Sequence, residues 1–287
     1  MKKLFLIFLL FCLPYWASAW GGKVFETRTV KSAVLKMDRK YAVYLPEGYD
    51  ETDRSYPVLY LLHGSGDDHT GWVQFGQVQH IADQAIAEGK AAPMIIVMPD
   101  ANTGIKGYFN DIGGNFNYED FFFEELIPHI EKTYRVRSER RYRAISGLSM
   151  GGGGTVFYSL HRPEVFAAAA PLSASTGNWE FEQFKIRHKD GKFTEQQISA
   201  YFDRHNIENL LKTASDEKKK KIKEVRWYIS CGDDDFLYEG NSLLHILFRK
   251  NDIRHEFRIK DGAHTWSYWR SELPLVMEFV SKSFMQY

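Results

Sequence analysis

The sequence has little cysteine, no excess of charge of either sign and no long uninterrupted apolar run. It holds two cysteines in 287 residues, and 37 basic residues balance 37 acidic residues. A chain without a basic field lacks the electrostatic footprint of a protein that binds nucleic acid or an anionic membrane. The sequence also lacks an internal repeat and a Pro/Ser-rich linker, which favours a single domain.

The first nineteen residues have the pattern of a secretory signal peptide. Two lysines precede a short apolar run, and small residues follow it up to Ala19, after which we expect cleavage. The run is too short to span a membrane. Phe11 is bulky where a lipoprotein signal has a small residue, which argues against acylation of Cys12. We therefore expect a secreted or periplasmic protein, residues 20–287, in which Cys231 is alone and forms no intramolecular disulfide.

Apolar runs typical of buried strands alternate with amphipathic stretches typical of helices. Residues 56–64 and 93–100 are nearly continuous apolar runs, as in strands covered on both faces of a parallel sheet. Residues 117–134 carry apolar side chains at four-residue steps, which predicts a helix with a kink at Pro128. The alternation predicts the α/β class, with a mostly parallel central sheet and helices on both faces.

Residues 177–224 depart from this alternation. They are polar, charged and helix-prone, and they include four consecutive lysines, 218–221, which we expect on a solvated helix face. Because the stretch lies between two predicted buried strands, it reads as an insertion. We predict that it forms a helical cap over the sheet edge, and it is a candidate lid.

A G-x-S-x-G pentapeptide, residues 147–151, places Ser149 between a strand pattern and a helix pattern. In that context the serine is held on a sharp turn with its hydroxyl exposed at the end of the sheet. The flanking glycines let the strand and the helix approach closely. The alternative is a glycine-rich connection without chemistry, but the strand and helix patterns favour a nucleophile.

A serine nucleophile needs a base and an acid that orients the base, and in α/β-hydrolases these follow in the order Ser, acid, His. One strand pattern ends at Gly232 and is followed by Asp233, Asp234 and Asp235. Burying three adjacent ionised carboxylates would cost much free energy, so we expect one of them to face the histidine and the other two to be solvated. These residues alone do not decide which of the three it is. His264 directly follows the last strand pattern and is the candidate base.

Two other histidines compete with this assignment from less suitable positions. His245 lies on a helix pattern and His255 lies inside a strand pattern.

Acyl transfer also needs N–H donors for the oxyanion. The His-Gly turn after the first buried strand supplies the N–H of Ser65, and the N–H of Met150 follows the nucleophile directly. His63, at the end of that strand, is expected to be a structural hydrogen-bonding residue.

Several stretches resemble the esterase D-like group of α/β-hydrolases. That group includes the feruloyl and acetyl-xylan esterases of carbohydrate esterase family 1, S-formylglutathione hydrolases and mycolyltransferases. The motifs are PVLYLLHGSGDDHTGW, RAISGLSMGGGG, CGDDDFLYEGN and GAHTWSYWRSELP. The resemblance runs from about residue 40 to the C-terminus, with 177–224 the least typical part. It implies that Asp235 is the acid, since the family's acid ends this turn, and it also matches His264 and Ser65.

Aromatic residues are concentrated in the loops expected to surround the site, including Phe109 and Trp179. Aromatic walls suit a phenylpropenoyl ring or the face of a sugar, although some of these side chains are expected to pack in the core or cap. We predict substrate contacts for Trp72, Tyr108, Phe236, Trp266 and Trp269.

An exported hydrolase meets polymers and extracellular esters rather than cytosolic glutathione adducts. We therefore predict a serine esterase, first a feruloyl esterase that releases hydroxycinnamic acids from plant cell-wall polysaccharide. The alternatives are an acetyl-xylan or other carbohydrate acyl esterase, an acyltransferase with the same triad, and a carbohydrate-binding protein with a disused hydrolase fold. We expect no metal and no other cofactor, since the sequence has no Cys/His cluster at zinc spacing.

Overall fold

The computed structural model describes residues 21–102, 107–177, 181–188 and 191–285. The predicted signal peptide and Trp179 lie outside these ranges. Within them, eight strands form one sheet. The strands are β1 (Lys23–Ser32), β2 (Met37–Leu45), β3 (Val58–Leu62), β4 (Ile95–Pro99), β5 (Arg143–Leu148), β6 (Ala168–Leu172), β7 (Arg226–Gly232) and β8 (His255–Lys260).

The strand order is β1-β2-β4-β3-β5-β6-β7-β8. β2 is antiparallel to β1 and to β4, whereas every pair from β4-β3 to β7-β8 is parallel. The predicted α/β class with a mostly parallel sheet is therefore confirmed. In such a sheet the carboxyl ends of the parallel strands share one edge, where the loops that follow them meet.

Helices connect most of the strands. They are α1 (Gly71–Gln74), α2 (Val78–Ala87), α3 (Tyr118–Asp120), α4 (Ile127–Thr133), α5 (Met150–His161), α6 (Phe181–Arg187), α7 (Glu195–Arg204), α8 (Ile207–Thr213), α9 (Asp216–Glu224), α10 (Tyr238–Lys250) and α11 (Trp266–Phe284). Short 3₁₀ turns lie at Tyr49–Glu51 and Arg140–Tyr142.

The sheet separates two apolar cores, as the continuous apolar runs predict. Along β3, Tyr60 belongs to the core that includes α5 and α10, while Leu59 and Leu61 belong to the core that includes α2 and α11. All five residues of β3 are buried. Successive side chains of a strand point to opposite faces, so a strand that is buried on both faces must be apolar throughout.

The helix predicted over 117–134 is present, but it is not a regular α-helix. A π-helical segment, Phe121–Leu126, separates α3 from α4 and ends two residues before Pro128. Proline lacks the N–H of the i→i−4 bond, and its ring clashes with the carbonyl four residues earlier. The wider π turn lies where that carbonyl would be, so the chain accommodates Pro128 near the start of α4.

Four helices, α6 to α9, lie between β6 and β7, where the sequence predicts a cap. The end of α7 rests on the body of the domain, because the ring of His205 contacts Phe109 and Phe157, with centroids 4.7 and 5.7 Å apart. His161 Nε2 of α5 also lies 2.9 Å from the carbonyl oxygen of Arg204. That this segment acts as a mobile lid stays a prediction.

The first turn of α5 packs against the sheet too closely for side chains. A Cβ added at Gly151 would lie 2.6 Å from the backbone oxygen of His63, and one at Gly153 would lie 2.3 Å from the backbone oxygen of Ser175. Glycines weaken the start of a helix. Close packing of α5 therefore accounts for Gly151 and Gly153.

We expect Gly153→Ala to lower the free energy of unfolding by about 1–3 kcal/mol, since a methyl group there overlaps backbone that has little room to move. Gly154→Ala is the matched control. The nearest atoms to its Cβ would be side-chain atoms of Leu62 and Tyr108, at 3.1 Å, and the variant gains helix propensity. Urea denaturation measures both. A stability loss in Gly153→Ala no larger than that in Gly154→Ala would contradict the packing argument.

Candidate active site

Ser149 lies on the turn between β5 and α5, in a backbone conformation that residues with a side chain seldom adopt. Its φ is 54° and its ψ is −115°. The turn is held from three sides: the Ser149 N–H donates to Leu172 O (3.0 Å), and its carbonyl accepts from the N–H groups of Gly153 (3.0 Å) and Ser175 (2.9 Å). Strained backbone of this kind persists only where the surroundings fix it.

The structure brings Ser149, His264 and Asp235 into one chain of hydrogen bonds. His264 Nε2 lies 2.9 Å from Ser149 Oγ. On the other side of the ring, Nδ1 lies 2.8 and 3.0 Å from the two carboxylate oxygens of Asp235. Because Nδ1 donates to the carboxylate, Nε2 is left as an acceptor facing the serine hydroxyl. The side chain of Asp235 is fully buried, and that of His264 is 19% exposed.

The turns that carry the acid and the histidine touch each other. Asp235 follows β7 and His264 follows β8, the neighbouring parallel strand. A Cβ at Gly232 would lie 2.1 Å from the backbone oxygen of Gly262, so the two turns meet backbone to backbone. The N–H of Asp234 donates to that same oxygen over 3.0 Å. This contact places His264 against the acid.

Of the three adjacent carboxylates, the structure places Asp235 against the histidine. Asp233 and Asp234 are exposed, and Asp233 Oδ1 accepts from the Gly262 N–H. Burial opposes ionisation of Asp235, but hydrogen bonds from His264, the Leu237 N–H and the Ser173 hydroxyl outweigh it. The pKa of Asp235 therefore lies below its usual value, and the carboxylate is ionised at neutral pH.

The competing histidines pair with each other instead. His245 Nδ1 lies 2.7 Å from His255 Nε2. His255 begins β8, so it belongs to the amino edge of the sheet, opposite the edge that carries Ser149.

Cys231 is buried and unbridged, and burial raises the pKa of its thiol to about 12, which leaves no thiolate for nucleophilic chemistry.

The loop after β3 lies beside Ser149. A Cβ at Gly64 would be 3.6 Å from the Cβ of Ser149. The N–H groups predicted for the oxyanion, those of Ser65 and Met150, have no acceptor within the described part of the chain. Both follow the ends of parallel strands, β3 and β5, so both lie at the edge of the sheet that carries the nucleophile. Their donation to an oxyanion stays a prediction.

His63 fixes the backbone of this loop. Its Nδ1 is 2.8 Å from Gly64 O, and its Nε2 accepts from the Ala101 N–H over 2.9 Å. Burial lowers the pKa of His63, which keeps the ring neutral, as these two bonds require. The Tyr108 hydroxyl accepts from the His63 N–H over 2.8 Å. The sequence prediction that His63 is structural agrees with this arrangement.

Two of the predicted substrate contacts are wrong. Trp72 and Tyr108 are fully buried. The Trp72 indole N–H donates to Leu62 O over 3.0 Å, and the Tyr108 hydroxyl is bonded to the backbone of His63. Both side chains support the loop after β3 from beneath, so neither surface is available to a ligand.

The other three aromatic residues predicted to contact substrate lie on or near His264 but differ in exposure. Phe236 is 71% exposed and lies over the imidazole, with ring centroids 4.4 Å apart. Trp269 is buried, and its ring meets His264 edge-on at 4.9 Å. Trp266 is half-buried between Trp72 and Trp269. Phe236 and Trp266 therefore remain open to substrate, whereas Trp269 packs behind the histidine.

An aromatic cavity of about 120 Å³ lies next to the nucleophile turn. It is lined by Phe109, Phe157, Ser175, Gly177, Phe184, Tyr201, Phe202 and His205. Sequence reasoning named Phe109 but missed the residues of α7. The signal was present, because Tyr201, Phe202 and His205 are neighbours within one turn at the end of a helix that is otherwise mostly polar.

The described ranges contain no group of three or more His, Cys, Asp or Glu side chains placed to hold a metal ion. In the same ranges, no helix is long and apolar enough to cross a membrane.

Known proteins are similar to this chain over most of its length. The esterase family model matches residues 32–278. A ferulic acid esterase of known structure is 34% identical, with a TM-score of 0.81, over 92% of this chain and 100% of its own. An acetyl esterase from Caldicellulosiruptor saccharolyticus is 21% identical over 91% of this chain and 96% of its own length.

A stretch of 141 residues is 41% identical to an endo-1,4-beta-xylanase/feruloyl esterase from Xylanibacter ruminicola. That stretch is 47% of this chain and 19% of the relative, so the match spans about a fifth of that longer protein. The family match covers strands β2 to β8, the Ser149 turn and both turns that carry Asp235 and His264. The chain therefore belongs to the esterase family of α/β-hydrolases, in the esterase D-like group with carbohydrate esterase family 1.

Proposed function

We propose that this chain is an exported serine carboxylic-ester hydrolase that releases hydroxycinnamic acids, such as ferulic acid, from plant cell-wall polysaccharide. The observation that carries the esterase chemistry is the relay from Ser149 Oγ through His264 to buried Asp235, at 2.9 and 2.8 Å. The names of the ferulic acid esterase and the xylanase/feruloyl esterase support the substrate class. Export rests on the N-terminal signal pattern alone.

The first half of the reaction makes an acyl-enzyme. His264 Nε2 takes the proton from Ser149 Oγ as that oxygen bonds to the ester carbonyl carbon. The resulting oxyanion accepts from the N–H groups of Ser65 and Met150, and each such donor is worth about 2.7–4 kcal/mol in the transition state. Asp235 holds the imidazole and stabilises its cation. The C–O bond then breaks as His264 returns the proton to the sugar oxygen.

The second half releases the acid. Water enters the place of the sugar alcohol, His264 takes one of its protons, and the hydroxide oxygen bonds to the acyl carbon. Collapse of the second oxyanion breaks the bond to Ser149 Oγ, which recovers its proton from His264. An acyltransferase follows the same steps with a sugar hydroxyl in place of water. Transferred ester on an added sugar acceptor, with free acid at background, is the result that would favour transfer.

The aromatic cavity supports a phenylpropenoyl acyl group over acetyl. Its rim reaches the nucleophile turn, because the Ser175 N–H donates to the Ser149 carbonyl. An engineered apolar cavity of about 150 Å³ holds benzene, so the 120 Å³ here is of the order that one ring needs. Phe109, Phe157 and Tyr201 offer faces and edges to such a ring. The acetyl esterase relative keeps acetyl-xylan as the second candidate.

The substrate proposal is tested with purified protein on methyl ferulate, an aryl acetate and acetylated xylan, with Ser149→Ala as the blank. We expect ferulate release by the wild type and a loss of about 10⁶-fold in kcat for Ser149→Ala, since the variant has no nucleophile. Chromatography of the released acids measures turnover. Turnover confined to the acetyl substrates would overturn the hydroxycinnamoyl assignment, and full activity in Ser149→Ala would overturn the nucleophile.

The choice among the three aspartates is tested by amide substitution. We expect Asp235→Asn to lower kcat about 10⁴-fold, because an amide in place of the carboxylate favours the wrong tautomer of His264. Asp234→Asn is the matched control. That residue is exposed, and we expect its kcat to stay within about twofold of the wild type, as for surface substitutions. Equal losses in the two variants would show that Asp235 has no special role.

The role of the aromatic cavity is tested by Phe109→Ala. Phe109 lines the cavity and packs edge-on against Phe157 at 5.3 Å. We expect kcat/KM for methyl ferulate to fall about tenfold or more through lost contact with the ring. The value for an aryl acetate, whose acyl group does not reach the cavity, should stay within about twofold. Parallel losses on both esters would instead indicate general damage to the fold.

A further inference from the structure

The exit of β6 lies beside β7, the strand that leads to Asp235. The chain leaves the strand at Ser173, which is fully buried and has a φ of 45°, a conformation that costs energy for any residue except glycine. The Ser173 N–H donates to Ser230 O in β7 over 2.7 Å. Glycine would adopt this φ at lower cost, so a serine at this strained, buried position calls for a function of its hydroxyl.

That hydroxyl is bonded to a side chain that touches His264. The indole N–H of Trp269 donates to Ser173 Oγ over 3.1 Å. The same indole meets the imidazole of His264 edge-on, with ring centroids 4.9 Å apart and planes at 87°. Trp269 therefore spans from the β6 exit to the histidine, and its one hydrogen bond fixes the rotation of the ring that packs against the imidazole.

A second connection runs from the β6 exit to the acid. Buried Asn241 accepts from the Ala174 N–H over 3.1 Å, and its amide donates to Ala174 O (3.1 Å) and Leu237 O (2.9 Å). The Leu237 N–H in turn donates to Asp235 Oδ1 over 2.8 Å. Ser173 is therefore hydrogen-bonded to Trp269, which contacts His264. Ala174 is connected through Asn241 to the turn that carries Asp235.

We propose that Ser173 and Trp269 form a positioning pair that keeps the Asp235–His264 hydrogen bond aligned with Ser149. The inference rests on the proposed function, since it concerns the same relay. Trp269 occupies one lone pair of Ser173 Oγ, which directs the single O–H of that serine toward the remaining acceptors. The Ser173 hydroxyl also helps to lower the pKa of the neighbouring Asp235 carboxyl. Neither residue touches substrate.

The test uses Ser173→Ala, Trp269→Phe and the double variant. Alanine removes the hydroxyl and leaves the strained backbone as it is, while phenylalanine keeps an aromatic ring behind His264 and removes the N–H. Trp227→Phe is the matched control, because Trp227 is also buried and also donates its indole N–H, to Ile222 O over 3.3 Å, but lies at the amino end of β7. Methyl ferulate turnover and the downfield proton resonance of the Asp235–His264 bond are measured.

We expect each single variant to lose about tenfold to a hundredfold in kcat with KM nearly unchanged, since misplacement of a catalytic group acts on the transition state. The double variant should lose no more than either single variant, because both break one bond. The downfield resonance should broaden or move in all three. Trp227→Phe should retain the wild-type kcat and resonance.

Additive losses in the double variant, or losses no larger than in Trp227→Phe, would overturn the pairing. So would recovery of wild-type kcat in Ser173→Gly, because glycine relieves the positive φ without restoring the hydroxyl. The downfield resonance can be observed without ester hydrolysis, so it distinguishes a failure of the proposed function from a failure of the positioning pair. A wild type that hydrolyses no ester contradicts the proposed function, whereas an unmoved resonance in Ser173→Ala and Trp269→Phe contradicts the positioning pair alone.

Discussion

The close approach of α5 to the sheet is the constraint on which the rest of the candidate site depends. At Gly151 and Gly153 a Cβ would overlap the backbone oxygens of His63 and Ser175, so the helix reaches this depth only because it begins with glycines. The same approach forces Ser149 into a φ of 54°. It also brings the N-terminus of α5, with its unpaired N–H groups and positive dipole end, to the place where an oxyanion would form.

Once α5 is fixed, the parallel register of the sheet positions the remaining groups. β3, β5, β7 and β8 run in the same direction, so the loops that carry Ser65, Ser149, Asp235 and His264 leave the same edge. The buried carboxylate of Asp235 adds a second requirement. An ionised group without partners in the interior would be costly, and the donors that satisfy it, His264 among them, are the groups that the relay requires. Stability and chemistry here depend on the same bonds.

The order of elements and the positions of Ser149 and His264 were predictable, because apolar runs, turn residues and chain order are local features of the sequence. The choice of Asp235 over Asp233 and Asp234 was not, since all three share one turn and only burial separates them. Family resemblance supplied that choice. Trp72 and Tyr108 were misassigned for the same reason: a loop aromatic can point inward or outward, and the hydrogen bonds that turn these two inward go to backbone distant along the chain.

The end of α7, which forms one wall of the aromatic cavity, is held in place by polar and charged contacts with distant parts of the chain as well as by apolar packing. His161 lies with Nδ1 2.9 Å from Glu119 Oε1 and Nε2 2.9 Å from Arg204 O. Arg204 Nη2 in turn lies 3.5 Å from Glu119 Oε2. Burial opposes ionisation of Glu119, but His161 and Arg204 outweigh it and hold the pKa of that carboxyl below its usual value. The body of the domain therefore fixes the end of α7, and with it Tyr201 and His205, through the ion pair between Arg204 and the buried carboxylate of Glu119. Since separating this pair leaves the buried carboxylate uncompensated, the cavity wall is anchored to α3, which carries Glu119, independently of how the cap helices pack on one another.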